Sequence, residues 1–150
     1  MFNWKELYNH AILVAIKWHG EQKDKSGILY ITHPLRLAEQ LDRWEDKIVA
    51  ALHDVIEDTD CTMATLKLLF PPIITDAVDA ITRRDGESET DYYVRVMANP
   101  IATRVKYKDL KDNMRLERFH NPLKQKDIDR AMKYHKNLRM LHAVLYRNTA

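Results

Sequence analysis

The sequence predicts an all-α domain, and three observations carry that reading. Apolar residues recur at three- and four-residue spacing over most of the chain. The 150 residues include only three glycines and five prolines, too few for the many tight turns of an all-β fold. Proline and asparagine-proline breaks fall between the periodic stretches and cut the chain into helices of ordinary length.

Trp4, Leu7, Ala11, Val14, Ala15 and Trp18 predict a first helix over 4–19, stopped at His19-Gly20. A charged loop over 21–27 and a short apolar arm, Ile28 to Ile31, follow; the arm is extended or part of a small hairpin. Pro34 disfavours helical backbone at His33 and suits a first helical position, so the next helix is placed at Pro34 to Leu41. Trp44 opens a helix that runs to Thr59-Asp60. Thr62 caps a short helix that Pro71-Pro72 breaks, and a further helix covers 73–82. Thr82 to Glu89 is a polar loop, and a helix resumes over Asp91 to Met97. Beyond Asn99-Pro100 the period returns from Ile101 to about Phe119. After Asn121-Pro122 a last helix spans roughly Asp127 to Arg147.

The length suits one domain over 1–150, and 45% hydrophobic residues supply a core. No repeat, linker or low-complexity tract interrupts it. A net charge of +2 does not announce a nucleic-acid polymer as partner. The lone Cys61 rules out an intramolecular disulfide and fits a reducing cytoplasm. No apolar run approaches ~20 residues, so no membrane partner is expected. The amphipathic pattern starts at Met1 to Glu6 and leaves no room for a signal peptide.

The chemistry concentrates in Leu52-His53-Asp54-Val55-Ile56-Glu57-Asp58-Thr59. Read as continuous helix, His53, Asp54, Glu57 and Asp58 fall within an arc of about 140°. They interrupt the apolar stripe instead of lying opposite it, which speaks against a plain solvated face. Buried carboxylates become tolerable when a metal or partner charge compensates them. His33 sits at a rigid junction before Pro34. Asp109, Asp112 and Asn113 share one helix face. His33, His53 and Asp54, with Asp109 as the natural fourth, suit a divalent transition metal, and the carboxylates tilt the choice toward Mn²⁺, with other divalent metals left open. Glu57 and Asp58, one turn on, can orient a water or move its proton. Lys23, Lys25, Arg83 and Arg84 offer positive charge to a phosphate. His19 reads as a helix-end or pocket-wall histidine, and His135 and His142 as ordinary partly buried ones.

Three blocks together resemble a known family. They are Tyr30-Ile31-Thr32-His33-Pro34, Ala50-Ala51-Leu52-His53-Asp54-Val55-Ile56-Glu57-Asp58-Thr59, and Val105-Lys106-Tyr107-Lys108-Asp109-Leu110-Lys111-Asp112-Asn113-Met114-Arg115. In order, spacing and residue type they look like the hydrolase domain of RelA/SpoT-type alarmone enzymes, which are HD-domain metal phosphohydrolases. The resemblance runs from about residue 8 to 119 and is similar to the small stand-alone alarmone hydrolases. It implies a single-domain, all-α HD-type bundle with a small β-hairpin near residues 26–32. It implies Mn²⁺ on His33, His53, Asp54 and Asp109, catalysis assisted by Glu57 and Asp58, and substrate contacts from Lys25, Ser26 and Asn113. Relatives remove the 3′-pyrophosphate of (p)ppGpp, giving GDP or GTP and pyrophosphate.

Three departures stand out. Asp24 falls where relatives carry a guanine-stacking arginine. Asp112 occupies a common histidine position. The link between His33 and His53 is shorter than in many relatives. The expected function is therefore manganese-dependent hydrolysis of (p)ppGpp or a related nucleotide in the cytoplasm. The alternatives are another nucleotide, such as NADPH or a phosphoester, or a non-catalytic nucleotide-binding regulatory domain. A homo-oligomer stays open.

Overall fold

The structure is a computed structural model, and it describes residues 1–115 and 122–147. It is all-α. The helices are α1 (Trp4–His19), α2 (Thr32–Glu39), α3 (Trp44–Leu52), α4 (Val55–Asp58), α5 (Met63–Leu69), α6 (Pro72–Ile81), α7 (Glu89–Met97), α8 (Pro100–Asn113) and α9 (Gln125–Leu145). Helix α8 ends at Asn113, with Met114 as its cap, short of the expected Phe119; residues 116–121, with the break at Asn121, lie outside the described residues.

Local chemistry explains most helix ends. The side chains of Asn3, Thr62, Ser88 and Asn99 accept first-turn amides of α1, α5, α7 and α8, whose N–H groups have no intrahelical acceptor. Pro72 and Pro100 stand in the first turns of α6 and α8, where a missing N–H costs nothing. Gly20, at φ 54°, ends α1 in a conformation that a side chain would resist.

Helix α3 is the centre of the bundle, with α1, α2, α6 and α8 packed around it. Ile48, Val49, Ala50, Ala51 and Leu52 are all fully buried. Each large apolar side chain among them contributes about 1.5–3 kcal/mol by leaving water, and the two alanines let neighbouring helices approach closely. Two ion pairs fix the periphery. Arg104 grips Asp46 through two hydrogen bonds of 2.7 and 2.8 Å and ties α8 to the start of α3. Arg95, on α7, donates to the carbonyls of Asp79, Ala80 and Thr82 and pairs with Glu87, so it caps the end of α6 and holds the loop that follows.

Three sequence expectations are corrected. The segment 44–60 is not one helix, because α3 ends at Leu52 and α4 starts anew at Val55. Helix α2 begins at Thr32, so His33 is helical: Pro34 falls in the first turn, where it forfeits no bond, and Thr32 Oγ1 closes a turn onto Leu29 O at 2.8 Å. The hairpin of 26–32 is, among the described residues, a single antiparallel bridge between Lys23 and Leu29. Its turn needs Gly27 at φ 80°, and the turn into α2 takes Tyr30 and Ile31 out of any strand.

Candidate metal centre and active site

The break after α3 aims the central motif. His53 N–H reaches only Ala50 O, at 3.5 Å, and Asp54 sits at φ −104°, ψ −1° before α4 resumes. This turn drives the His53 ring into the core, 2% exposed, and leaves Asp54 at its mouth. His53 Nδ1–H donates to Ala50 O at 2.7 Å. Its Nε2 therefore carries the lone pair, the form in which imidazole binds a metal.

Helices α2 and α8 bring the second half. His33 and Arg36 are three apart on α2; Asp109 and Asp112 are three apart on α8, and the pairs interlock. His33 Nδ1 lies 2.6 Å from Asp112 Oδ2, and His33 Nε2 lies 2.9 Å from Asp109 Oδ1. Arg36 binds Asp112 through Nε and Nη2 at 2.8 and 2.7 Å. Asp109 also accepts from Lys106 Nζ at 2.8 Å and Asn113 Nδ2 at 3.0 Å.

One ligand atom from each of His33, His53 and Asp109 lies within 4.8 Å of the others. Asp54 Oδ2 is 2.9 Å from His53 Nε2 and 4.0 Å from His33 Nε2, but it stands outside that mutually close set. The Tyr30 hydroxyl donates to the same Asp54 oxygen. His53 Nε2 is also 3.4 Å from Asp109 Oδ1, yet neither carboxylate is in line for a hydrogen bond, and among the described residues this buried nitrogen has no partner. Two imidazole nitrogens and two carboxylates suit a divalent cation such as Mn²⁺, Fe²⁺ or Zn²⁺. The orphaned nitrogen and the carboxylate behind His33 are what such a site requires. The residues present fit the ion.

The electrostatics agree. Burial opposes the charged form of both histidines, but the Asp109 and Asp112 carboxylates outweigh it at His33, and Asp54 and Asp109 outweigh it at His53, so both pKa values are raised. Burial likewise opposes ionised Asp109, yet Lys106 and the two histidines hold its pKa well below the usual range. A divalent cation would meet the same negative field.

Glu57 and Asp58 lie on the solvent side of α4. The Arg83 amide donates to Glu57 Oε1, and Gln22 Nε2 donates to the Asp58 carbonyl at 2.7 Å. Partial desolvation raises the pKa of both carboxyl groups; the nearby Asp54 adds to the rise, and at Glu57 the Arg83 amide opposes it. Both line a polar cleft of ≈ 830 Å³ that continues past Thr82, Arg83 and Gly86. Within it Arg84 pairs with Asp79 at 3.0 Å, whereas the Arg83 guanidinium lies 5.3 Å from the Tyr92 ring. A separate apolar cleft of ≈ 560 Å³, along α1 and α5, shares no residue with this site.

The loop residues fall otherwise. Asp24 turns its carboxylate on its own loop, accepting from Ser26 N at 2.8 Å and Ile28 N at 3.1 Å. Lys25 is exposed in that loop and Ser26 half-buried. Asn113, expected at the substrate, donates to Asp109. Sequence reasoning missed Tyr30, Arg36, Lys106 and the orienting place of Asp112. The i, i+3 spacings of His33 with Arg36, and of Lys106, Asp109 and Asp112, were the available signal.

No family model matches the chain. A probable guanosine-3′,5′-bis(diphosphate) 3′-pyrophosphohydrolase of Mycoplasma genitalium is 35% identical over 120 residues, 77% of this chain and 15% of its own length. A similarly named protein of Mycoplasma pneumoniae is 44% identical over 87 residues, 55% of this chain and 12% of its own. A GTP pyrophosphokinase of Streptomyces coelicolor is 36% identical over 128 residues, 77% of this chain and 15% of its own. The chain thus spans less than a sixth of these relatives. A solved structure, described as a metazoan ortholog of SpoT that hydrolyzes ppGpp and plays a role in starvation responses, superposes with TM-score 0.71 at 21% identity, covering 90% of this chain and 84% of that one.

The fold is therefore that of the all-α HD-type domain. The sequence matches beside it liken the chain to one segment of these RelA/SpoT-type proteins. Among the described residues no helix is long and apolar enough to cross a membrane.

Proposed function

We propose that the chain hydrolyses the 3′-pyrophosphate of (p)ppGpp, or of a closely related nucleotide, with Mn²⁺ held by His33, His53, Asp54 and Asp109. The observation that carries this reading is the convergence of two imidazole Nε2 atoms on Asp109, with Asp54 beside them and Glu57 and Asp58 one turn beyond. The names of the Mycoplasma relatives support the substrate.

When bound, the ion supplies Lewis acidity to a phosphate oxygen and lowers the pKa of a water. The protein's own groups do the rest. His33 and His53 are fixed in the lone-pair tautomer by Asp112 and Ala50. Water attacks the phosphorus next to the ribose, an O–P bond forms and the P–O3′ bond breaks. The water proton passes to Glu57 or Asp58, and O3′ leaves with a proton as the ribose hydroxyl. Carboxyl groups with raised pKa values are suited to both transfers. Lys25, Ser26 and Asn113 contact the nucleotide. Asp24, bound to its own loop, leaves no planar cation to stack on guanine. The lone Cys61 and a nucleotide substrate fit a cytoplasmic protein.

The test is a steady-state assay of metal-stripped protein, with and without Mn²⁺, on ppGpp, its adenine counterpart and NADPH. The expected outcome is Mn²⁺-dependent release of pyrophosphate from ppGpp. Metal binding without turnover of any of the three would favour a regulatory domain.

A further inference from the structure

The cations around the polar cleft beside Glu57 are mostly committed. Arg84 pairs with Asp79 at 3.0 Å, Arg95 with Glu87 at 2.6 Å, and Lys106 with Asp109 at 2.8 Å. Arg83, which lines the same cleft, differs. Among the described residues its guanidinium makes no hydrogen bond or ion pair; it stands 5.3 Å from the centre of the Tyr92 ring. Glu89, whose carboxylate feels the Arg83 charge, is held instead by Asn137 at 2.7 Å and Lys133 at 3.2 Å. A contact with a ring face leaves the N–H donors of a guanidinium uncommitted.

The surroundings fix where those donors stand. The Arg83 amide donates to Glu57 Oε1, which ties the residue to α4. Tyr92 is 3% exposed and its hydroxyl donates to Ile81 O at 2.7 Å, so the ring is held rigidly. Lys106 Nζ lies 5.7 Å from the same ring and bonds Asp109, so the ring joins Arg83 to the cluster of His33, His53 and Asp109. Arg95 locks the start of the loop through the carbonyls of Ala80 and Thr82. An uncommitted arginine on a rigid loop of an open cleft is suited to clamp a phosphate.

We propose that Arg83 is a substrate-binding residue that holds the terminal phosphate of the 3′-pyrophosphate. This rests on the function proposed above, in which Glu57 serves the attack of water. In an in-line displacement the water and the leaving O3′ stand on opposite faces of the phosphorus. The ribose and its 5′-phosphates therefore lie away from Glu57. The terminal phosphate stays to the side of that line, toward the residue whose amide Glu57 holds. Arg84, paired with Asp79, takes no part.

The test is calorimetric binding of inorganic pyrophosphate, at fixed free Mn²⁺, to wild type, Arg83→Gln, Arg83→Lys and Arg84→Gln. The Arg83 side chain is exposed and its amide bond to Glu57 survives substitution, so the fold should persist. Arg83→Gln should raise Kd about tenfold or more, as loss of a charge-assisted pair does, and Arg83→Lys should recover part of it. Arg84→Gln removes the same charge one residue on and should raise Kd by less than about threefold, since a distant exposed charge is screened. Equal losses from the two glutamine variants would reduce Arg83 to a long-range field and overturn the proposal, as would an unchanged Kd in Arg83→Gln. Turnover then locates the contact. Arg83→Gln should lower kcat/KM by the same factor on ppGpp and on guanosine 3′-pyrophosphate, which carries no 5′-phosphates. A loss confined to ppGpp would put Arg83 on the 5′-diphosphate and overturn the assignment. A wild type that binds pyrophosphate but releases none from ppGpp sinks the function proposed above, and the Kd values still decide whether Arg83 holds a pyrophosphate.

Discussion

Asp112 Oδ2, on α8, lies 2.6 Å from His33 Nδ1, on α2, and sits 79 residues away in sequence. It fixes the ring of His33 and makes Nε2 the more basic nitrogen, as carboxylates behind metal-bound histidines do.

Asp112→Asn should therefore weaken Mn²⁺ binding by about 10- to 100-fold while the fold persists. Titration calorimetry against Mn²⁺, with a thermal melt beside it, checks this. Arg36→Gln should weaken binding in the same direction but less, because Asp112 keeps its contact with His33. An Asp112→Asn protein with unchanged affinity would remove Asp112 from the site.

Glu57→Gln and Asp58→Asn should each cut turnover by a factor of order 10² or more and leave the metal bound. Parallel measurement of kcat and Mn²⁺ content separates this from a ligand role, in which both would fall together.

Arg95→Ala should destabilise the protein by about 2 kcal/mol, since charge-assisted bonds to the carbonyls ending α6 are lost. Urea unfolding measures the loss. Turnover should drop as well, because the same loop presents the Arg83 amide to Glu57.

Base selectivity should be modest. Asp24 pins its own loop, so side-by-side kcat/KM values for ppGpp and its adenine counterpart should differ by less than about 10⁴-fold. A larger preference for guanine would mean that buried polar groups elsewhere read the base.

Much of the helical layout is legible in the sequence, because the signals are local. Trp4 to Trp18 keep one apolar stripe to the glycine that stops it, and Thr62 and Asn99 announce the helices they cap. The break at His53-Asp54 is not legible. Ala50, Ala51, Leu52, Val55 and Ile56 continue the stripe across it, and only the three-dimensional placement of His53 against Asp109 rewards the irregular backbone. Nor is the partnership of Arg36 with Asp112 legible. Each alone reads as a surface charge, and what joins them is the packing of α2 on α8. The one-face spacing of Asp109, Asp112 and Asn113 was readable; that Asn113 turns to Asp109 was not, since an amide on that face can reach either the carboxylate or the cleft.

The hydrolysis of (p)ppGpp is tested most directly by turnover of ppGpp in ¹⁸O-labelled water with Mn²⁺-loaded protein, the products being weighed by mass spectrometry. The expected result is one pyrophosphate per GDP, with the label in the pyrophosphate and none at the ribose 3′-oxygen. Label at the ribose, or ppGpp left intact, would contradict water attack at the phosphorus held beside His33, His53, Asp54 and Asp109.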